Sequence, residues 1–267
     1  MCLQTLYTSA TGMIGMETKL NTVAHNLANM ETTAFKKQRC NFEDLFYDHL
    51  KYPGLQDTSE AFTATGISIG VGTRVSSIQT QFRQGSHNET GRELDVLIAG
   101  DGFFRVRDPF TNDILYTRAG NFSRAEDGRL VLGSGHTGRA LDPEINIPED
   151  TTTIQIHDSG EVFVVQPPES ITTSVGRIGL ATFVNPEGLL RVGENLFAET
   201  DASGPPIEGE PSEDGFGKLK QNALEMSNVE PVTELIDMIT SQRAFELNSK
   251  VTQTGDEILQ TVISIKR

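Results

Sequence analysis

The last forty residues constrain this chain more than any other stretch. From Ala244 the stripe Ala244, Leu247, Val251, Thr254, Ile258, Thr261 and Ile265 advances in steps of 3 and 4, a heptad seam with two threonines among its apolar members. Upstream, Val229, Val232, Ile236 and Ile239 keep the same rhythm, and one step of five residues separates the two halves. No proline follows Pro231, and a helix tolerates proline in its first turn. The stretch predicts a helix of about 35 residues, on the order of 50 Å long. Ordinary globular helices are far shorter. So narrow a stripe is not buried by wrapping the helix in its own domain. It needs a second helix beside it.

The second helix is predicted at the other end of the chain. Leu3, Leu6, Ala10 and Met13 step 3, 4, 3, and Met16, Leu20, Val23, Leu27 and Met30 continue after a slip at Met13. Gly12 and Gly15 weaken the helix at that place. Two readings compete. One is a pair of ordinary core helices in a single domain. The other, preferred here, is a terminal coiled coil, made within the chain or between copies of it. Asn21, Asn26 and Asn29 crowd the first helix, and asparagine at a seam fixes register at a cost in stability.

With 267 residues the chain has room for one large domain or a few small ones. No apolar run is long enough to span a membrane. The N-terminus has no basic region followed by an apolar core, so no cleavable secretory signal is expected. Cys2 and Cys40 have no metal-ligand spacing. A disulfide between them is one reading; two free thiols are preferred. Residues 1–40 carry four basic and two acidic side chains, and residues 228–267 carry four and six. The ends therefore cancel, and residues 41–227 hold the whole net charge of −15. That argues against binding nucleic acid, which needs a basic surface. It suits a solvated body with near-neutral ends that pack against copies of themselves.

Between the helices the character changes. Residues 31–50 read as partly helical, so 1–50 is taken as the N-terminal helical stalk. Residues 51–75, with Pro53 and several glycines, read as an extended loop or hairpin. Gly70-Val71-Gly72 is too short a match for a phosphate loop. Residues 76–217 read as an antiparallel β domain. Val75, Ile78 and Phe82 precede a turn at Gly85, and ELDVLIAGDGFFRVRD gives two strands about a Gly-Asp-Gly turn. Hairpins are signalled at Glu126-Asp127-Gly128-Arg129 and Asp158-Ser159-Gly160. Further strands are expected at 177–183 and 195–198. Residues 201–217 read as a Pro- and Gly-rich loop, and 218–267 as the C-terminal helical stalk. The fold class is thus α+β: long terminal helices packing as a coiled-coil-like stalk, with an antiparallel β domain between them.

The residues also carry a resemblance. HNLANMETTAFKKQR, ELDVLIAGDGFFRV, LYTRAGNFSRAEDGRLV and SNVEPVTELIDMITSQRAFELNSKVTQTGDEILQ are collinear with motifs of the bacterial flagellar rod and hook family. The matching positions are Asn26, Leu27, Asn29, Phe35 and Lys36; Gly100, Gly102, Phe103 and Phe104; and Ser227, Asn228, Gln242, Arg243 and Ala244. His25 stands where the pattern has asparagine, and Ala34 where it has glycine, which argues against a left-handed turn there. Cys2 and Cys40 are unusual for the family. The length, Pro53-Gly54 and the stretch Gly66 to Arg74 most resemble its distal-rod members. The resemblance implies a structural subunit of a torque-transmitting helical tube, with a proximal rod or hook subunit as the alternative. It implies export by the flagellar type III apparatus, a periplasmic rod location, and partners in further copies, proximal rod proteins, hook protein and the peptidoglycan and outer-membrane ring proteins.

An enzyme is the competing class. His25, His49, His87, His136 and His157 are scattered without metal spacing, and no G-x-S-x-G occurs. Asp95, Asp101 and Asp108 bracket a strand turn and read as solvated turn acids. A secreted sugar-binding or hydrolytic β domain is a third class, and the absence of tryptophan argues against sugar stacking. No catalytic residue, metal, cofactor, nucleic acid or membrane insertion is therefore expected. The assembly seam is assigned to Leu3, Leu6, Met13, Leu20, Val23, Leu27, Val232, Ile236, Ile239, Leu247, Val251, Ile258 and Ile265. Pro53, Gly54, Gly66, Ile69, Gly70 and Gly72, with Leu55, Phe62, Ile67 and Val71, are assigned to a loop that locks register between copies.

Overall fold

The computed structural model describes residues 2–54, 65–133, 138–166, 171–213 and 215–265, without the side chains of 2, 3 and 171. The chain is α+β: a helix at each end of the sequence and a mostly antiparallel β region between them. It divides into two compact units. One holds residues 1–28, 38–80 and 230–267; the other holds 29–37 and 81–229.

In the helical unit, α1 (Cys2–Ala28) packs on α2 (Pro231–Ile265). The two run antiparallel: Leu6 lies against Gly255, Gly12 against Asn248, and Asn26 bonds Glu234. Gly12 and Gly15, read as weak points of the helix, are contact points. A Cβ on Gly12 would lie 3.0 Å from Asn248 Nδ2, and one on Gly15 would lie 3.0 Å from the Phe42 ring.

Helix α1 ends earlier than the helical reading of 31–50 supposed. The stretch forms strands Gln38–Asp44 and Tyr47–Lys51. Strand Gln38–Asp44 pairs with Thr73–Thr80, and Tyr47–Lys51 pairs with Ile67–Gly70. The physical reason is local. Asn29 O accepts from Thr32 N, and Ala34 then sits at φ 57, which turns the chain out of the helix. The left-handed turn is thus present although alanine occupies it. Strand Thr73–Thr80 straddles the expected boundary between loop 51–75 and β domain 76–217, and it belongs to the helical unit because its partner lies there.

The β unit is built on one nine-stranded antiparallel sheet. Strand Phe103–Arg107 lies centrally, pairing Ile114–Thr117 on one side and both Ala140–Leu141 and Leu180–Thr182 on the other. A three-stranded sheet, Thr153–Ile156, Glu161–Gln166 and Ile171–Arg177, carries part of the same core. Strand period two explains how: Val162 and Val164 are buried while their neighbours are half-exposed. Phe104, Phe122, Leu141, Ile145 and Leu180 are sealed from solvent, and the Phe104 and Phe122 rings meet edge to face at 5.1 Å.

Both expected hairpins form, with Gly128 at φ 81 and Gly160 at φ 83. The two strands about Gly100-Asp101-Gly102 form but do not pair with each other. Val96–Ala99 takes Lys218–Gln221 as partner instead. The expected helical stalk from 218 is therefore shorter. Strands Lys218–Gln221 and Ala223–Glu225 come first, and α2 starts at Pro231. The expected loop 201–217 contains strand Ile207–Gly209, which pairs Leu180–Thr182.

Because the β unit has its own core, Phe104→Ala should remove about 3–5 kcal/mol from its unfolding transition. Near-ultraviolet circular dichroism during urea unfolding measures this. A loss below about 1 kcal/mol would mean that the core is not the source of its stability.

Candidate assembly site

The sequence motifs resolve into two kinds of position. The first kind is buried and grips the chain beside the first helix. In the helical unit, the Asn26 side chain is 1% exposed. Its Nδ2 donates to Gln38 O at 2.8 Å and to Glu234 Oε2 at 3.1 Å, and its Oδ1 accepts from Gln38 N at 2.9 Å. One amide thus stands in for a neighbouring strand and also anchors α2. In the β unit, Asn228 repeats the device. Its Oδ1 accepts from Lys37 N at 2.7 Å, and its Nδ2 donates to Gln81 O and Arg83 O, both at 2.9 Å. Ser227 is buried beside it and accepts from Val229 N.

Lys36 sits in a buried charge cluster of the β unit. Its Nζ donates to Glu225 Oε1 at 2.6 Å and to Arg83 O at 2.9 Å. Glu225 also accepts from Gly85 N at 2.8 Å and from Arg118 Nε at 2.9 Å, while Arg118 Nη2 reaches Gly100 O at 2.7 Å. All three side chains are at most 3% exposed. Burial, then the neighbouring Arg118 guanidinium, push the Lys36 ammonium down to about 8 against the pull of Glu225. Burial pushes the Glu225 carboxyl up, but Arg118, Lys36 and the Gly85 N–H outweigh it and hold it below its ordinary value. Lys36 and Gly100 stand at family-motif positions and Arg118 within the quoted stretch LYTRAGNFSRAEDGRLV, but Glu225 was missed. Tertiary pairing joins the four, and no local spacing marks Glu225. Phe35 is buried in the same short segment, and Asn29 accepts from the Thr32 hydroxyl at 3.1 Å. Phe103 lies in an aromatic cluster and Phe104 in the main core.

The second kind is exposed. Helix α2 turns Glu234, Ser241 and Gly255 inward, a small and polar stripe. Its apolar heptad faces out. Exposure runs from 43% at Val251 through Ile258, Ile239, Ile236, Leu247 and Val232 to 79% at Ile265. Gln242 and Arg243 are exposed as well, and Ala244 is half-buried. On α1 the seam behaves differently: Val23 is buried, while Leu6, Met13, Leu20 and Leu27 are half-buried. The Leu3 side chain lies outside the described residues. Leu247, Val251, Thr254, Gly255 and Ile258, with Thr5 and Lys250, line an apolar groove of about 340 Å³. A coiled coil formed through both apolar seams within one chain is therefore not what this pair of helices makes.

Strands Tyr47–Lys51 and Ile67–Gly70 form a ribbon exposed over most of its length. Phe46, Tyr47, Leu50, Tyr52 and Ile67 are exposed on and beside it, and Tyr52 stacks on His49 at 5.1 Å. At its base Gly72, at φ 137, lies against Thr11 of α1, closer than any Cβ would permit. Ile69 and Gly70 are half-buried, Pro53, Gly54 and Gly66 are exposed, and Leu55 and Phe62 lie outside the described residues.

The three aspartates about the strand turn differ in surroundings. Asp95 is buried, accepts from the Thr90 hydroxyl at 2.6 Å and is not the solvated acid expected. Asp108 is paired with Arg139 at 3.3 Å, and Asp101 alone of the three is exposed. Among the described residues, no group of three His, Cys, Asp or Glu side chains could hold a metal ion, and no helix is long and apolar enough to cross a membrane. His136 lies outside the described residues. Cys40 is a free thiol, half-buried.

Three family patterns match in chain order: "Flagella basal body rod protein" over residues 6–36, "Flagellar hook protein FlgE/F/G D1 domain" over 97–164, and "Flagellar basal body rod FlgEFG protein C-terminal" over 220–265. The flagellar basal-body rod protein FlgG of Agrobacterium fabrum is 39% identical over 261 residues, 97% of this chain and 98% of that one. The chain belongs to the flagellar basal-body rod protein family. FlgG of Caulobacter vibrioides is 39% identical over 99% of this chain and 100% of its own, and FlgG of Bacillus subtilis is 38% identical over the same shares. The family is structural rather than enzymatic. Its patterns cover both kinds of position, the grips at buried Asn26 and Lys36 and half-buried Asn228, and the outward face of α2.

The charge cluster has a pH signature. Between about pH 8 and the ordinary lysine value of 10.5, the unfolded chain keeps a proton that folded Lys36 has released. Stability must then rise with pH across that window, by on the order of 3 kcal/mol at most. Urea unfolding of the β unit at pH 7.5 and pH 10 should show this rise relative to Lys36→Met, which lacks the group. Parallel pH dependence in both proteins would mean that Lys36 is not held below its ordinary value.

Proposed function

We propose that the chain is a structural subunit of the flagellar basal-body distal rod. It polymerises through its terminal helices into a helical tube that transmits motor torque to the hook in flagellum-dependent motility. The observation that carries this reading is the outward apolar heptad of α2 in a chain matched nearly end to end by rod proteins. Among the described residues, Leu247, Val251 and Ile258 remain 43–65% exposed, and full burial of each is worth about 1.5–3 kcal/mol. Another copy supplies the missing surface, so the coiled-coil stalk forms between copies. Near-neutral ends allow that packing, and the acidic stretch 41–227 keeps the subunit soluble before assembly.

The same reading gives the subunit a periplasmic place, export by the flagellar type III apparatus, and contacts with proximal rod proteins, hook protein and the surrounding peptidoglycan and outer-membrane rings. A proximal rod or hook position is the second reading. The length match to FlgG proteins over 97–99% of this chain favours the distal one.

Leu247→Asp and Ile258→Asp each place a charge where assembly requires burial. Each should abolish tubes in negative-stain micrographs while leaving the melting temperature of the β unit unchanged, since both side chains are exposed in the free chain. Tubes of normal length from either variant would overturn the seam.

The ribbon and the loop it carries are assigned to register. Heptad seams alone permit sliding by one repeat, because one turn of the stripe resembles the next. A two-stranded ribbon is marginal by itself. Phe46, Tyr47 and Tyr52 give it the exposed apolar surface to seat on the next copy. Deleting residues 54–73 should leave polymerisation intact and yield a more flexible or curved tube. Straight tubes of unchanged stiffness from the deletion would remove the register role.

A further inference from the structure

The three-stranded sheet of the β unit has a free outer edge. Strand Thr153–Ile156 pairs with Glu161–Gln166 on one side and, among the described residues, with no strand on the other. Strand Lys218–Gln221 comes near, and Leu219 N bonds Asp158 O at 3.2 Å. Beside the edge is a cleft of about 770 Å³, walled by Glu93, Gln155, Asp158, Ser212, Gln221 and Asn222 among others. An edge of unpaired N–H and C=O groups is a template for strands of other chains.

Here side chains occupy the template. Gln221 Oε1 accepts from Ile156 N at 3.0 Å, and its Nε2 donates to Ile154 O at 2.7 Å. Glu93 Oε2 accepts from Ile154 N at 3.2 Å. Backbone groups of alternate residues on one strand are thus filled from two distant segments. The Gln221 amide has one workable orientation. Its Nε2 also donates to Glu93 O at 2.8 Å, so the turned amide would set its oxygen against two carbonyls. Its main chain is pinned by pairing with Val96. Gln84 repeats the device beside Val96–Ala99: its Nε2 donates to Ile98 O at 2.8 Å, and its Oε1 accepts from Gly100 N at 3.2 Å.

We infer that Gln221 and Glu93 hold this edge closed against a strand of a second copy. An incoming strand must offer a carbonyl to Ile154 N and Ile156 N and an N–H to Ile154 O. It must therefore displace the Gln221 amide, and its carbonyls meet the Glu93 carboxylate, which only accepts and so repels them. The strand itself does nothing to discourage pairing. Thr153, Ile154, Gln155 and Ile156 carry no charge, and β-branched residues favour strands. The closure stands on these bonds alone; its consequence for assembly rests on the polymer reading above. Copies crowded in a polymer then join through their helices and not through this edge.

The test titrates dilute full chain into a fluorescent peptide with the sequence of residues 161–166, the strand that already pairs with the inner side of Thr153–Ile156. Anisotropy should show the weakest binding with wild type and several-fold tighter binding with Glu93→Ala. Gln221→Met, which frees both Ile154 O and Ile156 N, should bind roughly tenfold tighter or more. Every other sheet edge is the same in all these proteins, so the difference reports this edge. Hydrogen exchange at the Ile156 amide should quicken in Gln221→Met. Equal affinity in wild type and variants overturns the closure. Near-ultraviolet circular dichroism shows whether Gln221→Met keeps its fold; if it does not, Glu93→Ala, a substitution at an exposed residue, decides by the same comparison. Failure of wild type to form tubes would overturn the polymer reading and leave the closed edge standing.

Discussion

The structure depends on which side of α2 its own α1 occupies. The two helices meet along α2's small and polar stripe. Leu6 lies over Gly255, Asn248 lies over Gly12, and Asn26 meets Glu234. These contacts are close and directional, but they bury little apolar surface. A buried glutamate needs partners to be tolerated at all, and Asn26 is one of them. The pairing therefore fixes orientation and register more than it supplies stability. The surface that would supply stability remains in solvent on the far side of α2. On the reading proposed above, that seam is buried by a neighbouring copy, and folding of the helical unit is then linked to assembly by mass action.

The β unit is organised on the opposite principle. It has a sealed core, and its polar motif residues are fully engaged. Asn26 and Asn228 perform the same operation on adjacent residues: one holds the backbone of Gln38 within the helical unit, the other that of Lys37 within the β unit. A side-chain amide carries a donor and an acceptor at strand-like separation, so it replaces a neighbouring strand where none is available. Lys36 adds a charged grip one residue earlier. Within the β unit, residues 36 and 37 are thus held by side chains distant in sequence; within the helical unit, Gln38 is held in the same manner.

Much of this was legible in the sequence, because both terminal helices and the glycine-turned hairpins rest on local signals. The heptad from Ala244 to Ile265 and the turns at Gly128 and Gly160 are examples. What was not legible depended on distant partners. Residues 38–51 became strands because Thr73–Thr80 and Ile67–Gly70 exist to pair with them. Glu225 and Arg118 are 107 residues apart in sequence and meet only in the fold. The direction of the seam was hidden for a different reason. Periodicity says that a stripe needs a partner, but not whether that partner is in the same chain. The glycines held that information. Gly12 and Gly255 mark the inner face, since a helix gives up its Cβ where another helix comes close.

Charge completes the argument about how copies approach. Residues 41–227 hold the entire net charge of −15, and both ends are nearly neutral. At physiological salt, screening acts over about 8 Å, so acidic surfaces in close contact still repel. That repulsion disfavours extended contact between the acidic stretches of neighbouring copies. On the reading proposed above, the extended apolar contact falls to the helical ends, where basic and acidic side chains nearly balance. Gln242 and Arg243 are exposed on α2 beside that apolar face and have no evident role inside the chain. On the reading proposed above, they stand with Glu246 and Lys250 among the polar groups flanking the seam, and charge and hydrogen bonding at an interface set specificity more than affinity. On that reading the labour divides: apolar burial drives assembly at the near-neutral ends, and the acidic stretch 41–227 limits how closely copies pack elsewhere.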